Sequence, residues 1–370
     1  MYLHQLKNWT NFTWDHALVE PLLASLRFEQ GRLLGRMQAL GFEMQLQAEL
    51  EAVALDAVKS SEIEGERLDV AQVRSALAQR LGLPTAGLPP SSRQVDAVVE
   101  LLLDASRNYQ EAVTESRLCA WQAALFPNGF SGPYQVATGA YRTYAKGPMQ
   151  VVSGAMGKAR VHFEVPAAHR LPAEMGAFLA WLDAPSSLDP VLKAGIAHLW
   201  FLTLHPFEDG NGRVARALTD LLLARADGQP QRFYSLSAQI CLERQAYYRA
   251  LAWAQKGGTD ITDWLVWFLD CFGRSLEAST QMLEKVLQKH RYWQTWSAQS
   301  LHERQLKMLN KMLDGFEGHV NTAKWAKINQ CSADTALRDI NDLLQRGMLI
   351  KAAAGSRSTH YLLPPAITSL

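Results

Sequence analysis

Apolar residues recur at the three-to-four-residue spacing of amphipathic helices along most of the chain. The breaks between these segments carry glycine, proline, serine and asparagine, as in 82–92 and 126–133. The pattern therefore predicts a mostly α protein. Its predicted helices cover 14–40, 44–62, 69–81, 92–107, 114–125, 172–183, 189–204, 213–226, 237–257 and 260–290.

Residues 147–165 follow a different pattern. Two short runs rich in β-branched and aromatic residues, MQVVS and ARVHFEV, are separated by Gly154, Gly157 and Lys158. This arrangement predicts a β-hairpin. Since an isolated two-stranded hairpin is marginally stable in water, we expect it to pack on the helices or to accept a strand from a partner.

The C-terminal residues, 301–370, form a separate predicted unit. Helices at 302–313, 322–328 and 333–346 are followed by two short strands, MLIK and THYLL. That order is typical of a winged helix-turn-helix. Residues 276–300 are expected to form a helical connector to it.

Composition narrows the class of protein. The 370 residues are enough for two or three domains, and a net charge of +1 argues against a protein that coats nucleic acid or an anionic membrane. The most apolar stretch, 264–272, is shorter than the roughly 20 residues of a membrane span. The start lacks a secretory pattern, and scattered cysteines without CxxC pairs suggest reduced thiols, so we expect a soluble cytoplasmic protein.

The segment HPFEDGNGRVAR, residues 205–216, joins two predicted helices. Gly210 and Gly212 allow backbone geometry that other residues avoid and let a ligand approach closely. Amides at the start of the second helix can bind phosphate oxygens, helped by the helix dipole. Arg213 and Arg216 are three residues apart, so both lie on one helix face and can bind phosphate.

The same segment holds two further chemical groups. Asp209 is a hard oxygen ligand of the kind that Mg²⁺ on a polyphosphate requires, and His205 can accept a proton near neutral pH. Each residue alone has a plainer explanation: DGNG is good turn chemistry, Asp209 or Asn211 can cap a helix, and His205 can be a core histidine. Together they indicate a phosphoryl or nucleotidyl transfer site.

HPFEDGNGR with its second arginine resembles the signature HPFxDGNGRxxR of Fic-domain proteins at every fixed position. The resemblance extends over about residues 1–290. It implies a Fic-type helical core and an enzyme that transfers AMP from ATP to Ser, Thr or Tyr hydroxyls of target proteins. It also implies that residues 147–165 are a flap, which holds the target as an added strand.

The resemblance assigns a role to each motif residue. His205 becomes the general base, and Asp209 holds Mg²⁺. The ATP phosphates are bound by Gly210, Asn211, Gly212, Arg213 and Arg216. A tyrosine on the following helix lines the adenine pocket; Tyr248 is the first candidate and Tyr247 the second, although either can simply pack in the core or on the surface.

Residues 60–66 read SSEIEGE. Ser60, Glu64 and Gly65 match the Fic inhibition motif [S/T]xxxE[G/N], whose glutamate is expected to pair with Arg216. The plainer interpretation is a helix that ends at Gly65 with Glu64 and Glu66 solvated. The resemblance favours an autoinhibited enzyme.

The tail carries nine basic and six acidic residues, but its predicted recognition helix, 333–346, has two arginines and three aspartates. This charge favours protein docking or a dimer contact over DNA binding, although Arg357 in the wing keeps DNA binding open. A homo-oligomer is therefore possible.

The chain is thus divided into four predicted parts. They are an N-terminal helical region at 1–108 with the inhibitory motif at 60–65, a Fic core at 109–275, the connector at 276–300, and the winged helix at 301–370.

Three functions remain as alternatives to AMP transfer: AMP removal, transfer of another nucleotide, and a nucleotide-sensing DNA-binding regulator.

Overall fold

The computed structural model describes residues 1–83, 85, 88–153, 160–313, 316, 318–352 and 359–364. This part of the chain is mostly α-helical, which confirms the predicted fold class. The helices are α1 (His16–Gln38), α2 (Phe42–Ile63), α3 (Val70–Leu81), α4 (Arg93–Arg107), α5 (Glu115–Leu125), α6 (Leu171–Asp183), α7 (Pro190–Leu204), α8 (Asn211–Asp227), α9 (Leu236–Leu242), α10 (Arg244–Lys256), α11 (Thr262–Thr295), α12 (Glu303–Leu313), α13 (Thr322–Asn329) and α14 (Ala333–Gln345). The strands form three antiparallel pairs, β1 (Phe130–Ser131) with β2 (Tyr134–Gln135), β3 (Gln150–Ser153) with β4 (Arg160–Glu164), and β5 (Ile350–Lys351) with β6 (Tyr361–Leu362).

The chain forms two compact units, Met1–Ser279 and Thr280–Leu370. The division falls inside α11, so most of the segment predicted as a connector continues this helix.

Helices α7 and α8 pack against each other at the centre of the first unit. Every residue from Ala194 to Leu204 and from Arg213 to Ala224 is buried. A helix that is enclosed on all faces belongs in a protein interior. The turn between α7 and α8, residues 205–210, is therefore anchored at both ends in the core.

Helix α2 brings the N-terminal region to α8. It packs on α3 and α9, and its C-terminal part lies next to α8. The buried carboxylate of Asp56 accepts hydrogen bonds from the hydroxyls of Ser235 at 2.6 Å and Ser237 at 3.1 Å, at the start of α9. These bonds fix the end of α2, which carries residues 60–66.

The prediction of one helix over 237–257 is wrong. Helix α9 ends at Leu242 and α10 begins at Arg244, because Glu243 leaves the helical conformation with φ −104° and ψ 25°. Its carboxylate oxygens accept two hydrogen bonds of 2.6 Å from Arg274 of α11. A tertiary ion pair thus stabilises a break that no glycine or proline marks in the sequence.

Two of the strand pairs, β1–β2 and β3–β4, lie between α5 and α6 in the chain. The pair β1–β2 was not predicted, because two-residue strands are too short to show an alternating pattern. The predicted flap contains β3 and β4, with a register shift between Val151 and Val152. Its central residues, 154–159, which include Gly154, Gly157 and Lys158, lie outside the described residues.

In the second unit, α12, α13, α14 and the pair β5–β6 follow in the order of a winged helix. The backbone N–H of Tyr361 donates to Val320 at 2.9 Å and ties β6 to the segment before α13. The predicted wing residue Arg357 lies outside the described residues. The core of this unit includes Tyr292, Met308, Leu309, Trp325, Ile340 and Leu343.

Within the described ranges, no helix is both long enough and apolar enough to cross a membrane. The four cysteines have free thiols.

Candidate active site

The site is built on the turn between α7 and α8. His205 ends α7 in the left-handed region, with φ 49° and ψ 60°, and its N–H still donates to Phe201 at 2.9 Å. Positive φ is uncommon for residues other than glycine, so the surrounding structure must hold it. The turn then leads through Asp209 and Gly210 into α8.

Arg142, which the sequence analysis did not identify, holds this conformation. Its Nε donates to the carbonyl of His205 at 2.8 Å, and its Nη2 donates to Pro166 at 2.6 Å and Leu204 at 3.3 Å. Its backbone N–H donates to Pro206 at 2.8 Å. The buried guanidinium of Arg142 therefore connects the motif turn to Pro166, directly after the flap. A lone arginine in a loop carries no sequence pattern that would reveal this role.

The protonation of His205 suits a base. Burial lowers its pKa to about 4, and the positive charge of Arg142 acts in the same direction. The Leu202 carbonyl and the negative charges of Glu64 and Asp209 oppose this shift of the pKa. His205 is therefore neutral at pH 7, the protonation state that a general base requires.

Asn211 shapes the turn. Its side-chain oxygen accepts from the N–H of Phe207 at 2.9 Å, and its amide nitrogen donates to the Phe207 carbonyl at 2.8 Å. The side chain is buried, and both of its polar atoms bond to the backbone of Phe207. Gly210 has φ 85°, and a Cβ there would lie 2.9 Å from the ring of Phe126.

The first turn of α8 is a candidate anion site. Arg213 and Arg216 are 5% and 2% exposed. Arg213 Nε and Arg216 Nη1 are buried and have no hydrogen-bond partner among the described residues. Buried donors without partners are costly, so two unpaired guanidinium N–H groups beside a helix N-terminus indicate a place for a polyanion.

The carboxylate of Glu64 lies in this anion site. Its Oε1 accepts from Arg216 Nη2 at 2.9 Å, while Ser60 accepts from Arg216 through its hydroxyl and its carbonyl, each at 2.9 Å. A Cβ on Gly212 would lie 2.2 Å from Glu64 Oε1. Only glycine at position 212 therefore lets the carboxylate approach the start of α8 so closely.

The end of α2 places Glu64. Gly65 has φ 84°, its N–H donates to Glu62, and the N–H of Glu66 donates to Ser61, both at 3.0 Å. These two bonds form a Schellman motif. The plainer interpretation of Gly65 as a helix cap thus holds together with the Glu64–Arg216 contact, because the cap directs Glu64 towards α8.

A cavity of about 480 Å³ opens beside the turn. Asp209, Glu208 and Arg142 line it together with Thr143 of the preceding loop and Met149 at the start of the flap. The partly exposed carboxylate of Asp209 accepts from the N–H of Gly210 at 2.6 Å. Its remaining oxygen capacity fits Mg²⁺ bound to phosphate and water, since Mg²⁺ commonly takes one or two carboxylates.

Glu208 stands at the variable position of the motif. Its carboxylate accepts from the N–H of Ala137 at 3.1 Å and so connects the turn to the segment that follows β2.

The two candidate tyrosines have different surroundings. Tyr247 is 2% exposed and its hydroxyl lies 2.9 Å from Nε2 of His198, which places it in the core. Tyr248 is 42% exposed, with the guanidinium of Arg244 5.7 Å from its ring centroid. Only Tyr248 of the pair offers a ring face that a base could stack on, and its adenine role stays a prediction.

Two segments of the chain match known protein families. Residues 112–223 match the Fic/DOC family, and residues 2–83 match a domain of unknown function, DUF4172. The protein adenylyltransferase Fic of Culex quinquefasciatus is 29% identical over 239 residues, which are 62% of this chain. The chain spans only 42% of the length of that relative.

Solved structures share the fold. A Fic family protein from Desulfovibrio desulfuricans G20 superposes with a TM-score of 0.52 at 21% identity, over 93% of this chain and 96% of that chain. A Fic domain containing signaling protein from Bacteroides thetaiotaomicron VPI-5482 has a TM-score of 0.52 at 19% identity, over 70% and 98%. Residues 112–223 therefore form a Fic domain, which holds the HPFxDGNGRxxR motif at residues 205–216.

Proposed function

We propose that this protein transfers AMP from ATP to Ser, Thr or Tyr hydroxyls of target proteins and that Glu64 inhibits the transfer. The observation that carries the proposal is the anion site at the start of α8, where buried N–H groups of Arg213 and Arg216 have no partner among the described residues. A neutral His205 at the adjoining turn supplies the base that a hydroxyl nucleophile needs.

The reaction follows from this arrangement. His205 takes the proton of the target hydroxyl as its oxygen attacks the α-phosphorus of ATP. The new P–O bond forms while the bond to the β-phosphate oxygen breaks, and pyrophosphate leaves. The α8 amides and the two arginines stabilise the charge on the phosphates. Asp209 would hold Mg²⁺, which neutralises charge on the polyphosphate.

The inhibition is electrostatic and steric. Glu64 pairs with Arg216 and lies against Gly212. In the proposed complex, a phosphate of ATP contacts these same two residues. A carboxylate there repels the polyphosphate, so ATP binds with its α-phosphate misaligned. A positional error of about 1 Å can cost roughly 10²-fold in rate.

The flap is proposed to hold the target. Among the described residues, β3 and β4 pair only with each other, which leaves outer edges for an added strand. The cavity joins the beginning of the flap, at Met149, to Asp209 of the motif turn. A strand bound along the flap can therefore direct a hydroxyl side chain towards His205.

The test uses the Glu64→Gly variant with ATP, GTP and UTP, each labelled at the α-phosphate, and follows label into protein. We expect labelling from ATP that EDTA abolishes. Preferred labelling from UTP or GTP would replace AMP with another nucleotide. Loss of label from previously modified protein, without net transfer, would favour AMP removal.

Replacing Arg142 with lysine should lower transfer by about 10- to 100-fold while ATP affinity changes little. One ammonium group cannot reproduce the donors that Arg142 directs at Leu204, His205 and Pro166, and misplaced catalytic groups lose rate steeply. The rate and the ATP dissociation constant are measured in the Glu64→Gly background. An unchanged rate in the folded variant would show that Arg142 does not position His205.

For the tail we infer a role in protein docking or in a dimer contact. On the described part of the predicted recognition helix, Asp339 pairs with Arg304 at 3.0 Å and Asp342 pairs with Arg346 at 2.9 Å. Arg346 of this helix and Arg304 of α12 are thus already paired with carboxylates, which disfavours contact with phosphate. The full chain should show only weak, sequence-independent binding in a mobility-shift assay; nanomolar binding to a defined duplex at physiological salt would contradict this role.

A further inference from the structure

Arg213 has a carboxylate partner of its own. Its Nη1 donates to Oε2 of Glu66 at 2.7 Å. The side chain of Gln94, on α4, also donates to Glu66 Oε2, at 3.3 Å. Glu66 is therefore held by residues of two helices, α4 and α8, and contacts Arg213, the first arginine of the motif.

The Schellman motif explains why two acidic residues reach one helix end. Gly65, in the left-handed region, reverses the chain directly after α2. Glu64 stands before this reversal and Glu66 after it, and each binds a different arginine: Glu64 binds Arg216, and Glu66 binds Arg213. Neither carboxylate is shared between the two arginines.

We infer that Glu66 is a second inhibitory carboxylate, which keeps Arg213 from the phosphates of ATP independently of Glu64. The inference rests on the proposed function, because it concerns the same nucleotide site. It assigns one carboxylate of the α2 end to each arginine of the motif.

The geometry also sets the size of the effect. Arg213 is 5% exposed, so its guanidinium has little freedom to move away from Glu66. The Glu66 side chain is 31% exposed and can swing towards solvent when a polyphosphate competes for Arg213. An ion pair with one partly exposed partner is moderately strong, so its removal should tighten ATP binding about three- to tenfold.

Full relief of the inhibition then requires the removal of both carboxylates, Glu64 and Glu66. Removing Glu64 frees Arg216 and the space over Gly212, but it leaves Arg213 paired with Glu66. Removing only Glu66 frees Arg213 while Glu64 still misaligns the α-phosphate. The single Glu66 variant should therefore bind ATP more tightly and remain nearly silent in transfer.

The experiment places Glu66→Gln in the wild-type chain and in the Glu64→Gly chain. Glutamine keeps the size of the side chain and removes its charge. Glu62→Gln is the matched control, since Glu62 lies on the same helix end and pairs with Lys59 at 2.6 Å, away from the two arginines. The affinity for ATP with Mg²⁺ is measured by calorimetry, and transfer is measured with α-labelled ATP.

The Glu64→Gly background distinguishes direct competition between Glu66 and ATP from a loosening of the α2 end. If Glu66→Gln merely loosened the α2 end, it would have no effect there, because no Glu64 carboxylate remains to be withdrawn. We expect about three- to tenfold tighter ATP binding and faster labelling of the double variant than of Glu64→Gly alone.

An effect of Glu66→Gln no larger than that of Glu62→Gln in the Glu64→Gly chain would overturn the inference. Tighter ATP binding without label in any variant would support Glu66 as a carboxylate that competes with ATP while the proposed transfer fails. Labelling of Glu64→Gly that Glu66→Gln leaves unchanged, with unchanged affinity, would leave the transfer intact and remove only the role of Glu66.

Discussion

Replacing His205 with alanine is expected to lower the rate of AMP transfer by about 10²–10⁴-fold, the usual cost of losing a general base. ATP affinity should be nearly unchanged, because the anion site lies at the first turn of α8 and His205 ends α7. The measurement is single-turnover labelling in the Glu64→Gly background, with the ATP dissociation constant determined in parallel. Near-normal labelling would mean that another group takes the proton.

The pH dependence provides a second readout for the same residue. Burial and Arg142 lower the pKa of His205 to about 4, so the neutral, proton-accepting form persists into mildly acidic solution. The activity of the free enzyme should fall only as pH drops through about 5 towards 4, well below the range of an ordinary histidine. A limb of kcat/KM near 6.5 would instead indicate a base that is not shielded in this way.

Replacing Glu64 with glycine is expected to raise transfer by about 10²-fold, the cost assigned to a misaligned α-phosphate. The substitution removes the carboxylate that pairs with Arg216 and lies over Gly212. Arg216 keeps both of its hydrogen bonds to Ser60, at 2.9 Å each, so its buried charge stays partly satisfied and the fold should survive. Self-labelling and labelling of lysate proteins with α-labelled ATP measure the change.

Two controls sharpen this prediction. Glu64→Gln keeps the volume of the side chain but removes its charge, so it should be activated less than glycine if steric blocking matters. The double variant with His205→Ala should be as inactive as His205→Ala alone. Equal labelling of wild type and Glu64→Gly would show that Glu64 does not inhibit transfer and only ends helix α2.

The same variants should differ in thermal stability. Glu64→Gly without nucleotide is expected to unfold at a lower temperature than wild type, because a partner of a buried arginine is lost. ATP should then stabilise it more than it stabilises wild type, since phosphates replace the missing carboxylate at Arg216.

The sequence alone predicted the helical core and the motif because both are local. Helix bounds follow from apolar spacing within a single segment, so α3 and α7 begin within one residue of their predicted starts. The twelve residues 205–216 hold a turn, a helix start and two arginines in one stretch, so their chemistry is readable without a fold. Glu64 could be paired with Arg216 only through the family resemblance, because nothing in local spacing joins them.

What depends on distant segments was decided by the tertiary structure. Arg142 reaches the His205 carbonyl across 63 positions, and Glu66 meets Arg213 across 147. The break at Glu243 is stabilised by Arg274 of another helix, and the side chain of Asn211 bonds to the backbone of Phe207 within the buried turn. Local preference fixes the φ and ψ angles of a segment, whereas a buried polar atom must be satisfied by whichever group the folded chain brings to it.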